Sequence, residues 1–157
     1  MNLYKLIEKQ VQEETVKKVI IGAVIKSEEK YLVLKRASTI FLEGLYEIPT
    51  GNLQFGETIE ECIYRVVEER IGCKVINISA YLGHFDYVSS DSKRARQYNF
   101  LVQINDINSI KLSDKHNEYR MATISDCENC LEMSDETLFI LKTANIIGKF
   151  STMGENL

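Results

Sequence analysis

Charged residues recur at helical spacing in one segment of the chain, GNLQFGETIEECIYRVVEERIGC, which runs from Gly51 to Cys73. Arg65 stands four positions after Glu61 and four before Glu69. Residues four apart share one face of a helix, so Arg65 can form ion pairs with either glutamate. Carboxylates grouped on one helix face can also serve as the oxygen ligands that Mg²⁺ prefers. The segment is therefore the first place to look for a functional site.

The residues around these charges predict a loop followed by a helix. Pro49, the only proline of the chain, precedes the glycines Gly51 and Gly56, and such residues are typical of loops. Thr58 with Glu61 three positions later forms a capping-box pattern for a helix start. Apolar residues then follow at helical spacing, and Gly72 stands where glycine commonly ends a helix. The apolar positions are Ile59, Cys62, Ile63, Val66 and Val67.

The same segment resembles the box of the Nudix (MutT-like) hydrolase family. The family pattern is Gly, five residues, Glu, seven residues, then Arg-Glu-apolar-any-Glu-Glu-any-Gly-apolar. Two positions depart from it, because Val66 and Arg70 stand where the pattern has glutamate. The positions that match are Gly51, Glu57, Arg65, Val67, Glu69, Gly72 and Cys73.

The resemblance implies a fold, an activity and a metal. Nudix proteins are α/β/α sandwiches with a mixed central sheet, and the enzymes hydrolyse nucleoside diphosphates linked to another moiety. They hold Mg²⁺ or Mn²⁺ with box glutamates, and a divalent cation neutralises phosphate charge and activates water. Carried over to this chain, the resemblance predicts Glu69 and Glu57 as metal ligands and Glu69 with Arg65 as catalytic residues. It also predicts an ion pair between Glu57 and Arg65. With Val66 and Arg70 in place of carboxylates, the metal site is expected to be depleted.

Basic and aromatic residues outside the metal positions are candidates for the substrate. Arg36 ends a predicted strand where family members often present a basic residue to phosphate, and Gly51, Arg70 and Arg96 are the other predicted substrate-binding residues. Arg96 belongs to a basic stretch with Lys93 and Arg94, for which solvated loop charges are the alternative. The aromatic residues Phe41, Tyr46 and Phe85 could stack on a base or pack in the core.

Three functions remain open from the sequence. The first is divalent-metal-dependent hydrolysis of a nucleoside diphosphate derivative or a nucleoside triphosphate. The second is a Nudix-fold protein that binds a nucleotide or nucleotide sugar without turnover. The third is cleavage of a C–O bond, as in the GDP-mannose mannosyl hydrolase branch, which also departs from the pattern at box glutamates.

The order of the remaining elements predicts an α/β fold. An amphipathic helix over 2–14 precedes two hairpins, a short strand and two helices. The hairpins are Lys18–Lys26 with Lys30–Arg36, and 74–88 with 97–104. The short strand is Glu118–Ile124. This order favours an α/β/α sandwich with a mixed central sheet.

The ends of the last two helices are predicted from capping residues. Ser125 with Glu128 is expected to open a short helix that contains Cys127 and Cys130, and Ser134 to open a final helix to about Ile147. We predict one domain over 1–157, with 1–16 as a helical extension and 148–157 as a loose tail. The extension either packs on the sheet or contributes to a homodimer.

Size and charge limit the partners. The chain has 157 residues and a net charge of −4, which suits one domain and argues against bulk binding of nucleic acid or anionic membranes. No apolar run is long enough for a membrane span, and the first residues lack a signal-peptide core. We therefore predict a cytoplasmic protein with a small-molecule nucleotide ligand.

Overall fold

The structure is a computed structural model that describes residues 2–14, 16–37, 43–89 and 91–155, with side chains as far as Lys149. The described part contains four α-helices and seven strands. The helices are α1 (Leu3–Glu13), α2 (Ile59–Ile71), α3 (Ile124–Asn129) and α4 (Asp135–Glu155). The strands are β1 (Lys18–Ser27), β2 (Lys30–Arg36), β3 (Tyr46–Glu47), β4 (Thr50–Asn52), β5 (Val75–Val88), β6 (Arg94–Ile104) and β7 (His116–Ala122).

Strand β1 lies at the centre of a mixed sheet. It runs parallel to β6, and antiparallel to β2 at one end and to β4 at the other. Strand β2 also pairs with β3 and β7, while β5 pairs with β6. The predicted mixed sheet and both predicted hairpins are confirmed.

Two apolar clusters cover the two faces of the sheet. Alternate side chains of β1 enter opposite clusters, because successive residues of a strand point to opposite faces. Ile21 and Ile25 pack with the apolar stripe of α2. Val24 packs on the other face, with Cys127 of α3 and Leu141 of α4. The predicted α/β/α sandwich is confirmed.

Helix α1 packs on the sheet. Ile7 is buried among the residues under α2, and the Tyr4 ring lies 6.0 Å from the Phe100 ring. The Tyr98 hydroxyl lies 3.3 Å from Gln10 Oε1. Of the two alternatives for this helix, packing on the sheet is therefore confirmed, and a homodimer stays a prediction.

Several predicted boundaries differ from the structure. Helix α3 is capped by Thr123 with Asp126, so the prediction that Ser125 with Glu128 caps it was wrong. Helix α4 continues to Glu155, through most of the segment 148–157 that was expected to be a loose tail. Strand β6 begins at Arg94, inside the predicted basic loop, because its backbone pairs with Val88 of β5.

No helix of the described residues combines the length and apolarity that crossing a membrane requires.

Candidate functional site

Helix α2 is positioned by the caps that its sequence predicts. The Thr58 side chain accepts from the Glu61 N–H at 3.1 Å, which satisfies a donor of the first turn. Gly72 ends the helix with φ +67°, a left-handed conformation that glycine adopts without a steric penalty. These two caps fix the ends of the box helix, so that Arg65 and Glu69 lie one turn apart on it.

A two-point ion pair joins the loop before α2 to the helix. Arg65 Nε lies 2.6 Å from Glu57 Oε2, and Arg65 Nη2 lies 3.0 Å from Glu57 Oε1. Arg65 Nη2 also donates to the Asn52 carbonyl at 2.6 Å. The hydrogen bonds from Arg65 lower the pKa of Glu57 to about 2. Both Glu57 oxygens are thus committed to Arg65, which fits the predicted ion pair and leaves little of this carboxylate for a metal.

Glu69 is the remaining box carboxylate at a predicted metal position. Its Oε2 accepts from Arg65 Nη1 at 3.1 Å, and its side chain is 49% exposed. No described residue hydrogen-bonds to its Oε1. Glu69 and Arg65 are therefore brought together as predicted, with Glu69 facing solvent.

Val66 belongs to the core. It is 1% exposed and packs in the cluster under α2. A Cβ placed on Gly51 would lie 2.6 Å from Val66 Cγ2, so glycine is required there for β4 to approach the helix. Gly51 is buried in β4 opposite Ile21, and its predicted part in substrate binding stays a prediction.

Arg70 holds the strand in front of the helix. Its Nε donates to the Thr50 carbonyl at 2.9 Å. No described residue accepts from its Nη1 or Nη2, so these two amino groups carry the free donors of the guanidinium. A cation therefore stands at a position where the family pattern has a carboxylate.

The box residues of this chain do not fit a divalent cation held by glutamates. Glu57 is bound by Arg65, Val66 is apolar and buried, and Arg70 brings positive charge. Within the described ranges, no three His, Cys, Asp or Glu side chains converge on a point that could hold a metal ion. Cys127 is buried in α3 and Cys130 is exposed beyond it.

A cleft of about 430 Å³ opens on the sheet face that carries α4. Cationic, acidic, aromatic, amide and hydroxyl side chains line it, from strands β1 to β6 and from the start of α4. The lining residues are Lys18, Arg36, Glu47, Thr50, Phe85, Tyr87, Val88, Ser89, Gln97, Ser134, Glu136 and Thr137. A larger groove of about 660 Å³ lies between α1 and β5, and its lining is mostly apolar. Neither the cleft nor this groove is lined by a residue of the box, but Thr50, which immediately precedes the box, lines the cleft.

Arg36 lies in the cleft as part of a charged cluster. Its Nη1 is 2.9 Å from both carboxylate oxygens of Glu47. His116 Nε2 lies 2.8 Å from Glu47 Oε1, and its Nδ1 is buried without a partner among the described residues. Sequence reasoning missed both Glu47 and His116 as members of a charged cluster. The pairing of β2 with β3 and β7 brings the cluster together, and no local pattern shows it.

A pair of amide side chains forms part of the cleft wall. Gln97 lines the cleft and Asn99, two residues along β6, is fully buried. Gln97 Nε2 lies 2.7 Å from Asn99 Oδ1. Sequence reasoning missed both residues, although polar side chains in an otherwise apolar strand are a usable signal.

Arg96 lies on the face of β6 opposite to Gln97. It is 4% exposed, and it contacts Asp86 of β5 at 2.6 and 3.0 Å. Its Nη1 also forms an ion pair with Glu14, 2.5 Å from a carboxylate oxygen. The guanidinium is thus enclosed by carboxylates, so the structure does not group Arg96 with the predicted substrate-binding residues Arg36 and Arg70.

The predicted stacking residues are divided by the structure. Phe85 lines the cleft, as does Tyr87, which the sequence did not single out. Tyr46 is buried, and its hydroxyl donates to Glu118. Phe41 lies outside the described residues.

Comparison with known proteins agrees with the geometry of the box. A family model described as NUDIX domain matches residues 16–138. An ADP-ribose pyrophosphatase of Methanocaldococcus jannaschii is 28% identical over 75 residues, which are 48% of this chain and 43% of the relative. The match therefore spans less than half of the length of that relative.

Solved structures share the fold at low sequence identity. A MutT protein from Methanosarcina mazei Go1 has a TM-score of 0.72 at 18% identity, with 84% of this chain and 95% of that chain covered. A NUDIX hydrolase from Nitrosomonas europaea has a TM-score of 0.69 at 19% identity, with 82% and 88% covered. The NUDIX domain of Shewanella oneidensis NrtR, complexed with ADP ribose, has a TM-score of 0.67 at 14% identity, with 92% and 97% covered. Because the family model spans most of the chain and includes the whole box, the chain belongs to the Nudix family.

Proposed function

We propose that the chain binds a nucleoside diphosphate derivative in the cleft, with cationic side chains taking the place of a box-bound metal. The observation that carries this proposal is the pair of residues at the glutamate positions of the box. Val66 is sealed in the core, and Arg70 is fixed to the backbone of Thr50, which lines the cleft. Val66 cannot bind a cation, and Arg70 would repel one.

The cleft supplies the chemistry that such a ligand needs. Lys18 and Thr50 line the cleft, and Arg70, which is not itself a lining residue, binds the Thr50 carbonyl and keeps two amino groups without an acceptor among the described residues. Guanidinium and ammonium groups bind phosphate oxygens through charge-assisted hydrogen bonds, which are stronger than neutral ones. The name of the curated relative, an ADP-ribose pyrophosphatase, supports a nucleoside diphosphate derivative as the ligand class.

Hydrolysis of the same class of compound is the second candidate. The half-exposed Glu69 favours it, because this carboxylate is bound by Arg65 through only one of its oxygens. On this alternative the chain retains a reduced form of the family's Mg²⁺- or Mn²⁺-dependent activity.

Calorimetric titration with ADP-ribose, in EDTA and in excess Mg²⁺, tests the first proposal. We expect the same affinity in both buffers and no release of AMP. Arg70→Gln should weaken binding roughly tenfold, since a hydrogen bond to a charged group contributes about 1.5–3 kcal/mol. Lys74→Gln removes the same charge at an exposed site and should leave binding unchanged. Binding that requires Mg²⁺ would contradict the proposal.

A turnover screen separates the two candidates. Release of products by the wild type with Mg²⁺ or Mn²⁺, lost in Glu69→Gln, would establish hydrolysis and overturn binding without a metal. Activity that appears only in the Val66→Glu, Arg70→Glu double variant would show a binding cleft from which the metal site has been lost. Product analysis also reveals C–O cleavage, since the sugar is then released free of phosphate.

A further inference from the structure

We infer that the cleft selects a base with an amino group at purine C6 or pyrimidine C4, which is adenine among the common purines, through the side-chain oxygen of Gln97. This inference rests on the proposed function, because it names the base of the nucleotide that binds there. It is carried by a chain of hydrogen bonds that fixes the orientation of the Gln97 amide.

The orientation of Asn99 is set first. Its Nδ2 lies 3.1 Å from the Gly83 carbonyl and 3.3 Å from the Gln97 carbonyl. Carbonyl oxygens only accept hydrogen bonds, so the nitrogen of the Asn99 amide must face them. Asn99 Oδ1 is then the atom that faces Gln97.

The orientation of Gln97 follows. Its Nε2 donates to Asn99 Oδ1 at 2.7 Å, and a reversed amide would place two oxygens against each other. No described residue donates to Gln97 Oε1. Gln97 is 7% exposed and lines the cleft, so this side chain offers a ligand an acceptor.

Strand β1 leaves just enough space for the two amides. A Cβ on Gly22 would lie 2.5 Å from Asn99 Oδ1 and 2.9 Å from Gln97 Nε2, both closer than real Cβ contacts. Gly22 pairs with Asn99 across β1 and β6. The amide pair is therefore packed against Gly22, and its hydrogen bonds to the Gly83 and Gln97 carbonyls fix its orientation.

Aromatic rings stand beside this acceptor. Phe85 is the direct partner of Gln97 across β5 and β6, and Tyr87 follows it on the same face. The two rings are 6.0 Å apart between centroids, and both line the cleft. Bases stack on aromatic side chains whatever their sequence, so the rings hold a base without choosing it.

We assign the choice of the base to the acceptor atom, Gln97 Oε1. The amino groups of adenine and cytosine donate to an oxygen, whereas hypoxanthine and uracil present a carbonyl at the corresponding ring position. Among the hydroxyl groups that line the cleft, Ser89 Oγ donates within its own turn and Thr137 Oγ1 accepts from Ser134 Oγ. The Thr50 hydroxyl can rotate to donate or accept, so it does not discriminate. An oxygen facing Gln97 Oε1 leaves a desolvated acceptor without a donor, a loss expected to weaken binding roughly tenfold or more.

The test compares bases at constant phosphate chemistry. Calorimetric titrations in EDTA use ADP against IDP, and CDP against UDP. We expect ADP to bind roughly tenfold or more tightly than IDP. Gln97→Met, which keeps the length of the side chain and removes the acceptor, should bring this ratio close to one. The ratio is taken within each variant, so a partly unfolded preparation does not distort it. Gln103→Met, at an exposed site on the same strand, should keep the wild-type ratio.

The possible outcomes distinguish the selection of the base from the proposed function. Equal binding of ADP and IDP by the wild type, or a preference that survives in Gln97→Met, overturns the selection of the base and leaves the proposed function standing. Binding of none of the four nucleotides by a protein that does bind ADP-ribose overturns the selection of the base alone, whereas failure to bind ADP-ribose as well overturns the proposed function and the inference with it. A preference for CDP over ADP would assign the amino group to cytosine and overturn adenine.

Discussion

Glu57 shows how one residue of the box can serve the fold without a metal. Its carboxylate is bound at two points by Arg65 and also accepts from the Gln54 N–H at 3.2 Å. It therefore fastens the loop that follows β4 to the middle of α2. This role depends on Arg65, and Val66 and Arg70 do not affect it.

The Glu57–Arg65 pair should make stability depend on pH in a defined window. Arg65 lowers the folded-state pKa of Glu57 to about 2, below an unfolded value of roughly 4.3. The contribution is therefore fully present above about pH 5 and is lost as the pH falls towards 2. We expect Glu57→Gln to reduce the free energy of unfolding by about 1–2 kcal/mol at neutral pH, with solvent screening included, and by almost nothing near pH 2.

Urea denaturation at a series of pH values measures this difference. Glu60→Gln is the matched control, since Glu60 is an exposed glutamate of the same helix. A loss in Glu57→Gln that stays constant from pH 7 to pH 2 would contradict an electrostatic role.

Residues of the site could be predicted from the sequence only where their partners are close along the chain. Glu57, Arg65 and Glu69 lie within one loop and helix. The pairing of Arg65 with Glu69 was predicted from their spacing, and that of Glu57 with Arg65 from the resemblance to the Nudix box. The core position of Val66 follows from the apolar stripe of α2. Gln97 and Glu47 depend instead on Gly22 and Arg36, which the register of separate strands brings near. One sequence contains no signal for that register.

At the scale of elements, two capping signals compete for the start of α3. The sequence offers Ser125 with Glu128 and, two residues earlier, Thr123 with Asp126. The structure uses the second pair, in which the Asp126 N–H donates to Thr123 at 3.1 Å and the Thr123 N–H donates to Asp126 at 3.1 Å. Strand β7 ends at Ala122, so the backbone must leave the sheet and turn at Thr123.

A pair of alanine variants tests this assignment. Thr123→Ala removes the cap and should lower the free energy of unfolding by about 1 kcal/mol. Ser125→Ala removes an exposed hydroxyl inside the helix and should change it by less than about 0.5 kcal/mol. Thermal or urea unfolding of both variants gives the comparison, and a larger loss in Ser125→Ala would favour the boundary predicted from the sequence.

The types of the elements could be predicted because apolar residues recur at clear helical or strand spacing. Several of their ends could not be predicted. The helix over Ile59–Ile71 and the strands of both hairpins follow from period and caps. The ends of β6, β7 and α4 depend on pairing and packing partners elsewhere in the chain. The backbone of Arg94, for example, is drawn into β6 by Val88.

At the scale of the whole molecule, Arg96 joins three elements. It lies on β6, contacts Asp86 of β5 and reaches Glu14 just beyond α1. If this buried cation is removed, the negative charges of the two carboxylates around it are left uncompensated. The N-terminal helix is therefore attached to the sheet by charge as well as by Ile7.

Removal of the Arg96 cation should destabilise the folded protein. We expect Arg96→Met to lower the free energy of unfolding by about 3 kcal/mol, measured by urea denaturation at neutral pH. Arg94→Met is the matched control, because Arg94 pairs with the same Asp86 from a half-exposed position and should cost less than about 1 kcal/mol. Equal losses in the two variants would contradict a buried role for Arg96.

The parallel pairing of β1 with β6 also sets an order of events during synthesis of the chain. Lys18 pairs with Ala95 and Ile25 with Val102, so the loop before α2, the helix itself and β5 all lie between the two partners. The β1–β2 hairpin and α2 have local contacts that can form as soon as they leave the ribosome. The centre of the sheet must wait for β6, because contacts between distant segments form late. Until Ile104 has emerged, the edge of β1 that pairs with β6 is unpaired. The nascent chain can then contain a folded box helix while the cleft, which needs Gln97 of β6, has not yet formed.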